Sequence, residues 1–201
     1  MTFNKKSEWF LKWTNNQKFM DERQQKTEKI SAYFEDCALT PKSMLDIGCG
    51  LALEAEKFQK KYGTELFLLD GYIDTKQQAE DSRHVGYDDV DNMSFYLSKE
   101  ELLDSWQQRG LAYTFLDATK DLQIETQLKF DFIYSGKSCG FHYPLNTYLD
   151  LIKRHSHADS VIVMDLRKGA DQKTDEFVVE KVLIDGEKHD TCVIRVSSGN
   201  H

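Results

Sequence analysis

An open α/β sheet, doubly wound and mostly parallel, with helices on both faces and a C-terminal antiparallel hairpin, is the fold class this chain predicts. Three observations predict it. "SMLDI" and "ELFLLD" are short apolar runs of strand length, and the helix-forming stretch "LALEAEKFQKKY" lies between them. Strand, helix and strand with tight connections make a βαβ unit, whose strands run parallel with a right-handed crossover. Further apolar runs alternate with helical patterns to a tally of about seven strands. The last two flank "DGEKHD", a turn signal that makes them antiparallel.

The chain of 201 residues suits one ordinary domain with a sizeable core. Residues 1–40 form an N-terminal helical segment, and residues 41–201 the core, with an insert at about 71–97. In the segment, Gln17 to Cys37 is helix-forming, and Ile30, Tyr33, Phe34 and Cys37 recur at i, i+3, i+4 and i+7 to give its second half one apolar face. Its first half, "QKFMDERQQKTEK", is polar apart from Phe19 and Met20. Trp9, Phe10 and Trp13 share one face of a short helix ahead of it, which packs onto the domain or, as a second reading, covers the substrate or makes a dimer contact.

Residues 43–47 are the first strand, and 51–62 a helix with Leu51, Ala55, Phe58 and Tyr62 on one face and Gly63 as its stop. Residues 65–70 are the second strand. The polar stretch "GYIDTKQQAEDSRHVGYDDVDNMSFYL" exceeds the usual connection length, as a lid or substrate loop does. His84, Tyr87, Asp88 and Asp89 within it are either substrate contacts or a solvated acidic loop. Next comes the helix "SKEELLDSWQQRG", with Ser98 and Glu101 in capping-box spacing. Strands follow at 112–118 and 130–135, then the helix "PLNTYLDLIKRHS" opened by Pro144, a strand at 160–166, and the hairpin "KVLIDGEKHDTCVIRVS".

Composition narrows the function classes. Hydrophobic residues at 40% and charged residues at 30% fit a globular protein. A net charge of −8 without a basic cluster argues against nucleic acid and anionic membrane as partners. No stretch approaches the roughly 20 apolar residues of a membrane span, and the expected location is cytoplasmic. Cys37, Cys49, Cys139 and Cys192 lack CxxC spacing, so free, mostly buried thiols are expected, with neither a disulfide framework nor a metal site.

In a doubly wound sheet the ligand lies beyond the carboxyl ends of the strands. In "LDIGCGLA", Gly48 and Gly50 allow a tight turn and a close backbone approach, with a helix amino terminus behind them. The spacing begins like the dinucleotide fingerprint GxGxxG, but Leu53 occupies the last glycine place. Asp46, just before the loop, would face a pyrophosphate with like charge and suits a cationic group instead, such as the amino group of a methionine moiety. Asp70, ending the second strand, can accept hydrogen bonds from both hydroxyls of a ribose. Asp117, followed by Ala118, can take one from an exocyclic adenine amine. A strand-end aspartate alone is equally a turn or helix cap.

These strand ends resemble the class I S-adenosylmethionine-dependent methyltransferase family. "LDIGCGLA" is similar to its first motif, an acid followed by Gly-x-Gly-x-Gly, with Asp46, Gly48 and Gly50 on matching positions and Ala52 in place of the third glycine. The likeness runs from about residue 28 to 197. It implies S-adenosylmethionine as cofactor, held by Asp46, Gly48, Cys49, Gly50, Asp70, Gly71, Asp117, Ala118 and Ser135, and methyl transfer to a small-molecule acceptor.

The fourth strand end, "YSGKSCGFHYP", would face both cofactor and acceptor. Its Gly136-Lys137-Ser138 is not the tail of a phosphate loop, since Asp131 sits where the first glycine would be. The Asn/Asp-Pro-Pro-aromatic sequence of family members acting on base or glutamine nitrogens is missing there, which argues against those acceptors. "GFHYPLNTYL" resembles a segment of sugar methyltransferases from polysaccharide clusters, which favours a small hydroxyl acceptor. His142 is the candidate general base, or a cap or pocket wall, and Lys137 and Tyr143 are candidate substrate contacts. Two alternatives to this reading are a non-catalytic cofactor-binding module and a same-fold enzyme that uses the cofactor for other chemistry.

Overall fold

The structure is a computed structural model that describes residues 14–72, 97–118, 124, 127–170 and 175–197. Trp9, Phe10 and Trp13 lie outside the described residues, as do His84, Tyr87, Asp88 and Asp89 of the insert.

The described strands are β1 (Ser43–Ile47), β2 (Glu65–Asp70), β3 (Tyr113–Asp117), β4 (Phe132–Ser135), β5 (Val161–Arg167), β6 (Phe177–Asp185) and β7 (His189–Val196). They form one seven-stranded sheet in the order β3-β2-β1-β4-β5-β7-β6. The first five are parallel, and β7 pairs antiparallel with both β5 and β6. Strand order turns around between β1 and β4, which opens a crevice at their carboxyl ends.

Among the described residues four α-helices accompany the sheet: α1 (Gln17–Asp36), α2 (Leu53–Tyr62), α3 (Lys99–Gln108) and α4 (Leu149–His155). α1, α2 and α3 pack on one face through Ile30, Phe34, Phe58, Leu102 and Trp106. α4 and the 3-10 turn before it, Leu145–Tyr148, pack on the other through Leu145 and Ile152. On the first face Phe132 meets Phe34 and Phe58 edge-on at centroid distances of 5.0 and 4.9 Å, joining β4, α1 and α2. Such pairs contribute about 0.5–1.5 kcal/mol each beyond area burial.

Several expected boundaries shift for local reasons. α2 starts at Leu53 and not at 51, because Ala52 before it takes a left-handed φ of 50°. Gly63 ends it as expected, with φ 69° and its N–H on the Gln59 carbonyl. The capping box of Ser98 and Glu101 opens α3. Pro144 sits before the 3-10 turn at its N-cap rather than inside a helix. β6 begins four residues earlier than the apolar run "KVLID", because "FVVE" continues the pairing with β7. All four cysteines are free; Cys139 and Cys192 are buried, Cys49 is partly so, and Cys37 is exposed.

Candidate functional site

A cavity of about 340 Å³ opens at the carboxyl ends of β1, β2 and β4. Of the residues singled out in the sequence, Asp46, Gly48, Cys49, Gly50, Asp70, Gly71, Ala118, Lys137, His142 and Tyr143 line it. Asp117 and Ser135 do not. Asp117 pairs with Asp70 in the β2–β3 register, one residue short of the cavity wall. Ser135 is fully buried, with its hydroxyl donating to the Ile47 carbonyl at 2.8 Å and accepting from the Cys139 N–H at 2.9 Å. It ties the end of β1 to the loop after β4.

The glycine loop is held from both sides. The Gly48 and Cys49 N–H groups donate to the Leu69 carbonyl of β2, while the Trp106 indole donates to the Gly50 carbonyl and Arg109 to that of Leu51. Gly48, Gly50 and Ala52 all adopt left-handed φ, at 67°, 49° and 50°. A Cβ on Gly48 would overlap the Ser138 side chain. Ala52 adopts the same conformation at a cost of roughly 1–2 kcal/mol.

The two strand-end acids differ. Asp70 accepts from the Gly50 N–H at 2.5 Å and from the Gly71 N–H at 2.8 Å. Burial nevertheless pushes its carboxyl up to about 6, against the pull of those amides. Asp46 is 2% exposed, and its carboxyl accepts no hydrogen bond among the described residues. Burial, reinforced by the nearby Glu54 carboxylate, holds it well above the usual carboxylate range, with Arg23 opposing.

The loop 136–143 is folded tightly. The Ser138 carbonyl accepts from Phe141, His142 and Tyr143 at 3.0, 2.8 and 3.1 Å, and the Gly140 carbonyl anchors the loop to Arg167 of β5 at 2.9 Å. Lys137 takes a left-handed φ of 60°, and its ammonium stands 3.6 Å from Glu22 of α1. Burial lowers the His142 pKa, helped by the positive charges of Arg167 and Lys137, which leaves a neutral imidazole at neutral pH. That is the form able to accept a proton.

Sequence reasoning missed the wall that α1 supplies. Phe19 and Arg23 line the cavity, together with Glu54, Leu97, Leu102, Tyr134 and Tyr148. Arg23 pairs with Glu54, whose Oε1 also accepts from the Tyr134 hydroxyl at 3.0 Å. Deeper, Lys26 pairs with Asp165, which accepts from Thr191 at 2.7 Å and lies 3.6 Å from the His189 ring nitrogen. The available signal was the spacing Phe19, Arg23, Lys26, Ile30 and Phe34, which sets two cations on the stripe that carries the core residues.

The sheet order, the terminal hairpin and the left-handed glycine loop at the end of β1 define the class I S-adenosylmethionine-dependent methyltransferase fold. Solved structures agree. The chain is similar to the PH0226 protein from Pyrococcus horikoshii, with TM-score 0.58 and 13% identity over 98% of this chain and 97% of that one. It is similar to a ribosomal protein L11 methylase from Lactobacillus delbrueckii subsp. bulgaricus, with TM-score 0.51 and 14% identity over 85% and 78% of the two chains. The third is the plantazolicin methyltransferase BpumL, solved with a desmethylplantazolicin analogue and S-adenosylhomocysteine (SAH), with TM-score 0.51 and 17% identity over 78% of this chain. This chain spans 56% of BpumL's length. No protein-family model and no curated protein matches the sequence.

Proposed function

We propose that the chain binds S-adenosylmethionine in this cavity and transfers its methyl group to a small-molecule acceptor, with a hydroxyl oxygen as the favoured nucleophile. One observation carries the cofactor reading: Asp46, almost fully buried and without a hydrogen-bond donor among the described residues, lines the same cavity as the glycine loop and Asp70. A carboxyl on a cavity wall that no described group satisfies suits a cationic or donor group from a ligand.

The residues fit that cofactor. Asp46 would take the amino group of the methionine moiety, Asp70 both ribose hydroxyls, and Ala118 would border the adenine. The side chain of Ser138 fills the space where a Cβ on Gly48 would stand, so only glycine fits at that turn of the cavity wall. When bound, the cofactor supplies an electrophilic methyl group, and the protein's share of the work is alignment and proton removal. His142, neutral and on the cavity wall, would take the acceptor's hydroxyl proton, while Lys137 and Tyr143 orient the acceptor. The N-terminal segment, through Phe19 and Arg23, would cover it.

Titration calorimetry tests the reading. SAH is expected to bind, with Asp70→Ala and Asp46→Asn each weakening it at least about tenfold through lost charge-assisted hydrogen bonds, and NAD is expected to bind poorly. Failure of both S-adenosylmethionine and SAH to bind would sink the assignment. With hydroxylated acceptors, His142→Ala should lower turnover by about 10²–10⁴-fold while leaving SAH affinity unchanged. Cofactor binding without turnover on any acceptor would favour a non-catalytic module.

A further inference from the structure

β6 is the outermost of the described strands and, among the described residues, pairs with β7 alone. The exposed large hydrophobic residues among those described all lie on it: Val178, Val179 and Val182, at 57%, 49% and 49% exposure. An edge strand of nine residues offers a second chain a row of backbone donors and acceptors, and proteins ordinarily guard such edges with charges. Here the guarding charges are Glu180 and Lys181, adjacent and opposite in sign.

Two register irregularities shape the strand. Val179 and Val182 pair with Ile194 and Cys192 of β7, while Val178 and Lys181 pair with Arg195 and Val193. Ile194 and Cys192 are two apart on β7 and share a sheet face, so Val179 and Val182 share it too, although they are three apart in sequence. Lys181 lies on the other face, 5.2 Å from the Tyr33 ring of α1, and Glu180 reaches Arg195 there at 3.0 Å.

We infer that β6 is the interface of a homodimer, in which two copies pair antiparallel about the Glu180–Lys181 peptide. In this register Glu180 stands opposite the partner subunit's Lys181, and Val179 opposite the partner subunit's Val182. Both pairings recur by two-fold symmetry, as an isologous contact requires. One face then gathers four valines, and the other carries two cross-strand ion pairs next to Tyr33 and Arg195. A second copy fits where an unrelated strand would not, because the charges that repel a random partner are complementary to themselves.

Light scattering and sedimentation of the full chain test this. The expected mass is twice that of one chain. Glu180→Lys and Lys181→Glu should each raise the dimer dissociation constant about tenfold, since each single change sets like charges opposite one another at two places. Combining them restores opposite charges across the interface and should return the constant to within about threefold of the original. Glu180→Lys loses the Arg195 pair in the single and the double variant alike, so recovery in the double reports the contact between subunits. A single-chain mass at the highest attainable concentration overturns the inference. So does a dimer indifferent to both reversals, or a double variant no tighter than the single ones.

Discussion

Asp46 stands one residue before the end of β1 and Asp70 ends the neighbouring β2, and burial acts on both by favouring the neutral form. For Asp70, whose folded pKa is raised to about 6, the contribution to stability is full below its unfolded value of about 4 and is lost as pH rises through about 6. Ligand binding runs the opposite way. Two ribose hydroxyls donate to the ionised carboxylate, so SAH affinity is expected to fall about tenfold per unit of pH below about 6. Calorimetry between about pH 5 and pH 8 checks this, and an affinity flat across that range would remove Asp70 from the ribose role.

At the scale of an element, α1 is the unusual helix. Its buried stripe includes Lys26 at 5% exposure beside Ile30 and Phe34, and the lysine is accommodated because Asp165 of β5 meets it. Burial alone would raise the Asp165 carboxyl, but the charge of Lys26, helped by His189, outweighs it and holds the group below the usual range. Its contribution to stability is therefore present above its unfolded pKa and lost as pH falls through the folded one. Lys26→Met would strand a buried carboxylate and should cost about 3–5 kcal/mol in urea unfolding, whereas pairing that change with Asp165→Leu should recover most of the loss. A single variant within about 0.5 kcal/mol of the parent would show that the pair adds little.

At the scale of the whole molecule, the order of strands separates two surfaces. The cavity lies beyond the ends of β1, β2 and β4, while β6 is the far edge, with β5 and β7 between. A dimer built on β6 therefore leaves the cavity open. The combined Glu180→Lys and Lys181→Glu variant is expected to bind SAH with the affinity of the parent chain. A change beyond about threefold in calorimetry would show that the edge and the cavity are coupled.

By itself the sequence determined the βαβ start, the seven strands, the hairpin and the glycine loop, because apolar period, turn chemistry and capping are local. It also placed Asp46, Asp70, His142 and Lys137 at strand ends, where ten of the twelve residues singled out line one cavity. Ser135 and Asp117 do not line it, because whether a strand-end side chain faces the cavity or the interior depends on register and on the neighbouring strand. Only the tertiary structure decided that the polar first half of α1 is an inner wall, with Arg23 and Lys26 paired to Glu54 and Asp165, residues 31 and 139 positions away. Buried charges are tolerated only where a partner stands, and a partner so far along the chain is set by packing rather than by local pattern.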